Sequence, residues 1–291
     1  MPHDEPLAIV LSDGRTAHVV PHGDGWLLEV GGVQQSHIAE PGAPLSLAYA
    51  RWMIAALGGR DPHRIAQLGG GLLMLARAIA ARWPDAEQVV LEFEPSLVSL
   101  IHSQFPPPAG VTVIEGDARA WIMQAASDSQ EAILVDVFHD GRIPPAFSST
   151  ELAAHARRVL TDDGLLVVNS VAGPELEFTR RQLAGLQSHF PHVALIVQGS
   201  ALGGLRFGNA CLIASGQEID AEAIREQLRG DASKGALVTD VDALVDGAAP
   251  MSEADSIWSP EPTLPDVSAS IELIEKMQQT LKALLPDRRK T

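Results

Sequence analysis

The hydrophobic pattern divides the chain into two parts. Before residue 40, short apolar runs flank turn residues: runs 7–11 and 16–20 flank Ser12-Asp13-Gly14, and runs 26–30 and 33–38 flank Gly31-Gly32. Asp-Gly and Gly-Gly pairs supply the positive φ that tight hairpins need, so this part is predicted to form β hairpins. A helix is predicted to follow at about 45–57.

From residue 64 onward, strand-like and helix-like patterns alternate. The predicted strands are 64–68, 88–93, 111–115, 131–136, 164–169, 193–198 and 207–214. The predicted helices are 72–83, 95–104, 118–125, 149–160 and 175–189, with short ones at 220–229 and 240–246. Such alternation predicts a parallel sheet with helices on both faces. Only a glycine-rich link joins the last two strands, so these two are expected to pair antiparallel.

These patterns predict an α/β fold, a Rossmann-like class I methyltransferase-type sheet with a small N-terminal β-hairpin domain. The predicted domains are 1–42, 43–246 and 247–291, the last being an irregular segment and a helix over 267–285. The apolar positions of that helix recur every three or four residues: Val267, Ile271, Ile274, Met277, Leu281 and Leu284. This stripe could pack on its own domain or on a second subunit.

Composition and charge limit the classes of molecule that the protein is expected to bind. Lys and Arg total 21 against 37 Asp and Glu, a net charge of -16, which argues against nucleic acid and suits cationic small ligands. The only cysteine, Cys211, lies in an apolar run and is expected to be a buried thiol. The start of the chain lacks an apolar signal region, and no uncharged apolar run approaches the ~18 residues of a membrane helix. We therefore expect a cytoplasmic protein with no membrane partner and no metal.

A glycine loop and acidic residues follow successive predicted strands. In open α/β sheets, ligands bind outside the carboxyl ends of the strands, so these residues outline a nucleoside pocket. Glu92 could accept both ribose hydroxyls or form a salt bridge at the strand end. Asp117 could receive the adenine amine, or cap a helix, or do both. The remaining residues of this group are Gly69, Gly70, Gly71 and Asp136.

Two carboxylates indicate an amine substrate. Asp136 ends an apolar strand, and Asp140 follows four residues later. Carboxylates at the mouth of a cleft attract an ammonium, and one of them can accept a proton as the nitrogen attacks. The alternatives are an ordinary turn after the strand for Asp136 and an Asp-Gly turn for Asp140.

Together these residues resemble the spermidine synthase family of polyamine aminopropyltransferases, in its diverged bacterial branch. The resemblance covers roughly residues 26–260. The matching motifs are Leu68-Gly-Gly-Gly, Leu91-Glu-Phe-Glu, Gly116-Asp-Ala-Arg, and Val135-Asp-Val-Phe-His-Asp-Gly-Arg-Ile-Pro-Pro with Ser149-Thr-Glu-Leu behind it. As a set these motifs are specific, whereas each one alone is not.

The resemblance implies transfer of an aminopropyl group from decarboxylated S-adenosylmethionine to an amine acceptor, with release of methylthioadenosine, by a homodimer. By position, Glu92 would hold the ribose and Asp117 the adenine. Asp136 would deprotonate the attacking amine, and Gln35 and Tyr49 would border the acceptor.

Two departures from the family pattern affect the amine half of the site. Leu72 stands where the family has an Asp that faces the aminopropyl ammonium, so preference for the decarboxylated donor is expected to be weak. Arg51 stands where the family has a Glu near the acceptor, which is expected to disfavour a diamine. Two further functions therefore stay open: an S-adenosylmethionine-dependent methyltransferase, and a non-catalytic binder of nucleosides or polyamines.

Overall fold

The computed structural model describes residues 5–23, 25–39, 43–202 and 207–261 of the 291. The described residues up to Pro260 belong to one compact unit with two sheets. The predicted α/β class, with its methyltransferase-type sheet and N-terminal β strands, is confirmed. The predicted helix over 267–285 lies outside the described residues, and the homodimer stays a prediction.

The N-terminal sheet has four antiparallel strands in sequence order. They are β1 (Leu7–Val10), β2 (Thr16–His22), β3 (Gly25–Val30) and β4 (Val33–Ile38). The two predicted hairpins are both present. In the second, Gly31 and Gly32 have φ values of +60° and +79°, as a tight turn between these strands requires.

The second sheet has eight strands, in the order β12-β10-β11-β9-β8-β5-β6-β7. These strands are β5 (Arg64–Leu68), β6 (Glu87–Glu92), β7 (Val111–Glu115), β8 (Gln130–Val135), β9 (Leu160–Ala172), β10 (His192–Gln198), β11 (Gly208–Ser215) and β12 (Gly235–Val238). Strands β9, β8, β5, β6 and β7 run parallel. As predicted, β10 and β11 pair antiparallel, and β11 lies between β9 and β10.

Eight α-helices connect or cover these strands in the described part of the chain. They are α1 (Ala48–Ala56), α2 (Met74–Arg82), α3 (Pro95–Gln104), α4 (Ala118–Gln124), α5 (Thr150–Val159), α6 (Glu177–Gln187), α7 (Ala221–Leu228) and α8 (Asp242–Val245). Short 3₁₀ turns lie at Pro145–Phe147, Pro174–Leu176 and Glu253–Asp255. None of the helices in the described ranges is long and apolar enough to cross a membrane.

Strand β12 was not predicted from the sequence. It is four residues long, too short to show a period, and it pairs antiparallel with β10. Its first residue, Gly235, must be glycine, because a Cβ there would lie only 2.5 Å from Nε1 of Trp52. Contacts with residues distant in sequence therefore determine this strand, and its own four residues show no pattern that predicts it.

The N-terminal sheet packs on the second sheet through an apolar cluster. Residues of β2 and β3 meet residues of α2, β6 and α3 there. The fully or nearly fully buried members include Ala17, Val19, Leu28, Leu72, Leu73, Val90 and Ile101. This packing fixes the N-terminal sheet beside the loop that joins β5 to α2.

Candidate active site

The carboxyl ends of β5, β6, β7 and β8 meet at one edge of the sheet, because these four strands are parallel neighbours. The glycine loop 69–71, Glu92, Asp117 and Asp136 all follow or end these strands. The structure therefore gathers at one edge the residues that the sequence assigned to the nucleoside and to proton transfer. Among the described residues, no three His, Cys, Asp or Glu side chains are grouped as metal ligands would be.

Glu92 holds the glycine loop. Its Oε2 accepts hydrogen bonds from the backbone N–H groups of Gly70 at 3.1 Å and Gly71 at 2.7 Å. Its Oε1 accepts from the N–H of Glu94 at 2.9 Å. Burial raises the pKa of Glu92, while these three donors lower it. An ionised carboxylate has about four lone-pair sites, so one acceptor position is left for a ribose hydroxyl.

Position 69 must be glycine because the backbone just after the neighbouring strand β8 passes close to it. Gly69 has a φ of +94°, and a Cβ there would lie 2.2 Å from the carbonyl oxygen of Asp136. The N–H of Asp136 in turn donates to the carbonyl of Leu68 at 2.8 Å. The nucleoside loop and Asp136 are thus in direct backbone contact.

The loop also explains why α2 begins later than predicted. Leu73 adopts a left-handed conformation, with a φ of +64°, and the first helical residue is Met74 instead of Leu72. Leu73 is 1% exposed, so apolar packing holds a conformation that glycine would adopt more readily. The free N–H groups at the start of α2 therefore follow a tightly turned loop.

Asp117 caps α4, which was one of its two sequence interpretations. Its Oδ1 accepts from the N–H groups of Arg119 at 2.7 Å and Ala120 at 3.4 Å. The side chain is exposed, and Oδ2 takes part in neither bond. The N–H of Gly116 donates to the carbonyl of Glu92 at 2.9 Å, which places Asp117 directly beside the end of β6. Contact with adenine through Oδ2 stays a prediction.

Asp136 lies in a network of neutral donors. The amide Nδ2 of Asn169 donates to its Oδ1 at 2.8 Å, and the hydroxyl of Tyr49 also donates to its carboxylate. Burial raises the pKa of Asp136, and both hydrogen bonds lower it. Burial and the neighbouring Asp136 raise the pKa of Tyr49 well above its usual value, so the phenol keeps its proton and stays a donor. Two residues that the sequence assigned to the acceptor end are therefore in contact.

Asp140 is ion-paired with the N-terminal sheet. The side chain is exposed, and it contacts Arg15 from the turn between β1 and β2. Arg15 also donates through Nε to Asp13 at 2.7 Å. From the same turn, the N–H and hydroxyl of Ser12 donate to Oε2 of Glu94 at 3.0 and 2.7 Å. The turn therefore contacts the chain just after β6 and the loop after β8.

Strand β4 presents Ser36 to the glycine loop. A Cβ at Gly71 would lie 3.5 Å from the Cβ of Ser36. Gln35 is skipped where the pairing of β3 and β4 shifts register, so it lies at a β-bulge, where strand alternation does not determine the direction of a side chain. Gln35 is partly buried, and its assignment to the acceptor stays a prediction.

The structure bears differently on the two departures from the family pattern. Leu72 is fully buried in the apolar cluster beneath the N-terminal sheet and supplies no carboxylate to the donor end, so weak preference for the decarboxylated donor stays a prediction. Arg51 is bound by Asp231, whose carboxylate accepts from its Nε at 2.7 Å, and by the carbonyls of Leu45 and Ser46. Its charge is neutralised within the protein, and the argument against a diamine acceptor therefore fails.

Sequence reasoning missed two features of this edge. Phe93 follows Glu92 and is 70% exposed, which offers a flat apolar face beside the ribose acid. Asn169 ends a run of apolar residues in β9, is 3% exposed, and contacts Asp136. A polar residue that interrupts a buried strand, or an aromatic one next to a candidate ligand acid, could have identified both.

Parts of the chain are similar in sequence to known aminopropyltransferases. No family model matches the chain. A probable polyamine aminopropyl transferase from Bifidobacterium longum is 33% identical over 102 residues, which are 35% of this chain and 23% of that protein. A polyamine aminopropyltransferase from Chromobacterium violaceum is 28% identical over 145 residues, 48% of this chain and 55% of that protein. The chain thus spans about half or less of the length of these relatives.

A solved structure is similar over a larger share of the chain. The crystal structure of a probable spermidine synthase from Corynebacterium glutamicum superposes with a TM-score of 0.79 at 27% identity. The match covers 91% of this chain and 100% of that one. The likeness therefore includes both sheets and is not limited to the motifs at the strand ends.

Proposed function

The chain belongs to the spermidine synthase-like family, and on that premise we propose that it transfers an aminopropyl group from decarboxylated S-adenosylmethionine to an amine acceptor. The donor supplies a carbon activated by a sulfonium, and methylthioadenosine is the leaving group. One C–N bond forms as one C–S bond breaks, and the nitrogen loses a proton. The protein must therefore hold the nucleoside and accept that proton.

The environment of Asp136 is the observation that carries the proposal. A base in this reaction must lie beside the nucleoside loop and must have a pKa above that of an ordinary carboxylate. Asp136 meets both conditions, because Gly69 packs on its backbone and burial raises its pKa. Tyr49 and Asn169 donate to the carboxylate and orient it.

The donor end fits a nucleoside. Glu92 has one acceptor position left for a ribose hydroxyl, and Asp117 lies beside it with one oxygen outside the helix cap. Phe93 offers an exposed ring for stacking on a purine base, a contact that contributes about 1–3 kcal/mol where nucleic-acid bases stack on aromatic side chains. These residues bind and orient the donor and take no proton.

One observation favours methyl transfer from ordinary S-adenosylmethionine as a second candidate. The acid that selects the decarboxylated donor in the family is replaced by Leu72, which is buried in the core. That position therefore supplies no carboxylate to repel the carboxylate of ordinary S-adenosylmethionine. The two candidates share the donor end and differ in the group transferred.

Incubation with each donor and a panel of monoamines and diamines tests the proposal. Mass spectrometry would follow methylthioadenosine for aminopropyl transfer and S-adenosylhomocysteine for methyl transfer. We expect methylthioadenosine together with an amine that has gained one aminopropyl unit. S-adenosylhomocysteine alone would favour the methyltransferase. Neither product, with methylthioadenosine still bound in calorimetry, would favour the non-catalytic binder.

A further inference from the structure

The two asparagines of the chain lie end to end beside Asp136. Asn209 donates through Nδ2 to Oδ1 of Asn169 at 3.1 Å, and Asn169 donates through Nδ2 to Oδ1 of Asp136 at 2.8 Å. Asn209 is on β11 and Asn169 on β9, while Asp136 directly follows β8, and these strands are neighbours. A line of side-chain hydrogen bonds therefore crosses three strands at the edge that holds the candidate site.

The direction of these hydrogen bonds is determined by the charge at one end. An ionised carboxylate only accepts, so Asn169 must turn its NH₂ group toward Asp136 and its oxygen toward Asn209. Asn209 then meets that oxygen with its own NH₂ group. If Asn169 were rotated by half a turn, its oxygen would face the carboxylate and two NH₂ groups would face each other.

Burial makes this direction matter. Asn169 is 3% exposed, so water cannot compensate a wrongly oriented amide. Asn209 contacts Asn169 on the side away from Asp136. Its NH₂ group favours the orientation in which the oxygen of Asn169 faces Asn209. Its role is therefore separate from direct contact with the base.

We propose that Asn169 and Asn209 are positioning residues for Asp136: together they hold its Oδ1 and fix the rotation of the carboxylate. The inference rests on the proposed role of Asp136 as base. Neither asparagine needs to touch the substrate. Asn169 acts directly on the carboxylate, and Asn209 acts through Asn169.

The other titratable groups around Asp136 do not compete with this role. Tyr49 approaches from α1 and Cys211 from β11. Burial raises the pKa of Cys211, and burial together with Asp136 raises that of Tyr49. Both side chains stay neutral while Asp136 titrates, so the asparagine pair can be tested against a constant background.

The single tyrosine of the chain makes the test direct. Tyr49 donates to Asp136, so its chemical shift responds to the ionisation of that carboxylate. A carbon-13 label on the tyrosine ring carbon that is bonded to the hydroxyl gives a single resonance, because the chain has one tyrosine. We would titrate the wild type, Asn209→Asp, Asn169→Ala and, as a control, Ser170→Ala through the acidic range. Ser170 is buried on the same strand, but its hydroxyl donates to Gln182 at 2.5 Å on the other face.

The Asn209→Asp variant reverses the hydrogen bonds. An aspartate there accepts from the NH₂ group of Asn169, which turns the oxygen of Asn169 toward Asp136, and its negative charge also disfavours ionisation of Asp136. We expect the inflection to move upward by about one pH unit or more. Asn169→Ala should raise it by about one to two units through loss of one hydrogen bond to a charged group. Ser170→Ala should leave it unchanged.

An Asn209→Asp inflection equal to that of the wild type would overturn the proposal, whether or not Asn169→Ala folds. Turnover gives a second readout: the acid limb of the kcat profile should move with the inflection, while KM for the donor stays the same. If the wild type shows no turnover but the inflection moves, the proposed function fails and the positioning role of the pair stands. If turnover is present and the inflection does not move, only the positioning role fails.

Discussion

The donor end and the acceptor end of the site are built in different ways. At the donor end, one carboxylate from Glu92 gathers three backbone N–H groups, and all the participants lie within 25 residues of one another. At the acceptor end, Asp136 is surrounded by side chains from α1, β9 and, through Asn169, β11. The donor end is a local structure of the main chain, whereas the acceptor end depends on side chains that are distant in sequence.

This difference suggests which half can change its specificity. A substitution at the donor end disturbs backbone hydrogen bonds and therefore the fold of the loop. At the acceptor end, the turn between β1 and β2 contributes Arg15 to Asp140 through a surface ion pair, which contributes at most about 1 kcal/mol. Acceptor preference can thus change without loss of the fold.

Replacement of Asp136 should separate the two ends most clearly. We expect Asp136→Asn to reduce turnover by ~10²–10⁴, the usual range for a positioned general base. Asn keeps the size of the side chain and loses its basicity, so affinity for methylthioadenosine should change far less. Steady-state kinetics and calorimetry on the same preparation would measure both. A parallel loss of affinity would mean that Asp136 also holds the nucleoside.

The Leu72→Asp variant tests whether this position belongs to the acceptor end or to the core. The sequence predicts better selection of the decarboxylated donor. The structure predicts a loss of stability of about 3 kcal/mol or more, because a carboxylate would be buried without a partner in the apolar cluster. Urea unfolding would measure this, with Leu72→Met as a control that costs less than about 1.5 kcal/mol. A stable, donor-selective variant would return the position to the site.

The contact between the two ends can be broken at Gly69. A methyl group there collides with the carbonyl of Asp136, and the φ of +94° is unfavourable for alanine. We expect Gly69→Ala to destabilise the fold by about 1–3 kcal/mol and to weaken nucleoside binding. Gly116→Ala is the matched control, because a Cβ at Gly116 has nothing within 4 Å. Similar melting temperatures for both variants would contradict this packing.

Removal of Glu92 should affect the donor end most. Hydrogen bonds to a charged group contribute ~1.5–3 kcal/mol each, so Glu92→Ala should weaken methylthioadenosine binding roughly 10- to 150-fold. Glu115→Ala removes an exposed carboxylate from the paired position on β7 and should bind normally. Equal calorimetric affinities for wild type and Glu92→Ala would exclude Glu92 from the site.

The smallest expected effect concerns Arg51, which the structure removes from the acceptor end. The pKa of Asp231 is lowered to about 2, most of all by its hydrogen bond with Arg51 and further by hydrogen bonds from Ser233. A lowered carboxylate pKa stabilises the fold above the unfolded value near 4, and this contribution is lost as pH falls toward 2. Arg51→Met should therefore cost about 1 kcal/mol at neutral pH, and the difference from wild type should shrink in acid. Altered kinetics with amine acceptors at neutral pH would contradict this assignment.

The sequence predicted what depends on neighbours in the chain and missed what depends on packing. The strands that carry Glu92 and Asp136 were predicted from apolar runs, and the antiparallel last pair from a link too short for a helix. Strand β12 and the buried position of Leu72 arise from residues far away in sequence. The family pattern indicated that Leu72 and Arg51 were unusual, but it did not identify their partners.

The central claim is that Asp136 accepts the proton in an aminopropyl transfer. The most direct measurement is the mass of the products from wild type and Asp136→Asn, each incubated with decarboxylated S-adenosylmethionine and the best amine acceptor. The account predicts that the wild type yields methylthioadenosine and an amine one aminopropyl unit heavier. The variant should yield both at rates ~10²–10⁴-fold lower. Equal product from the two proteins, or no methylthioadenosine from the wild type, would contradict it.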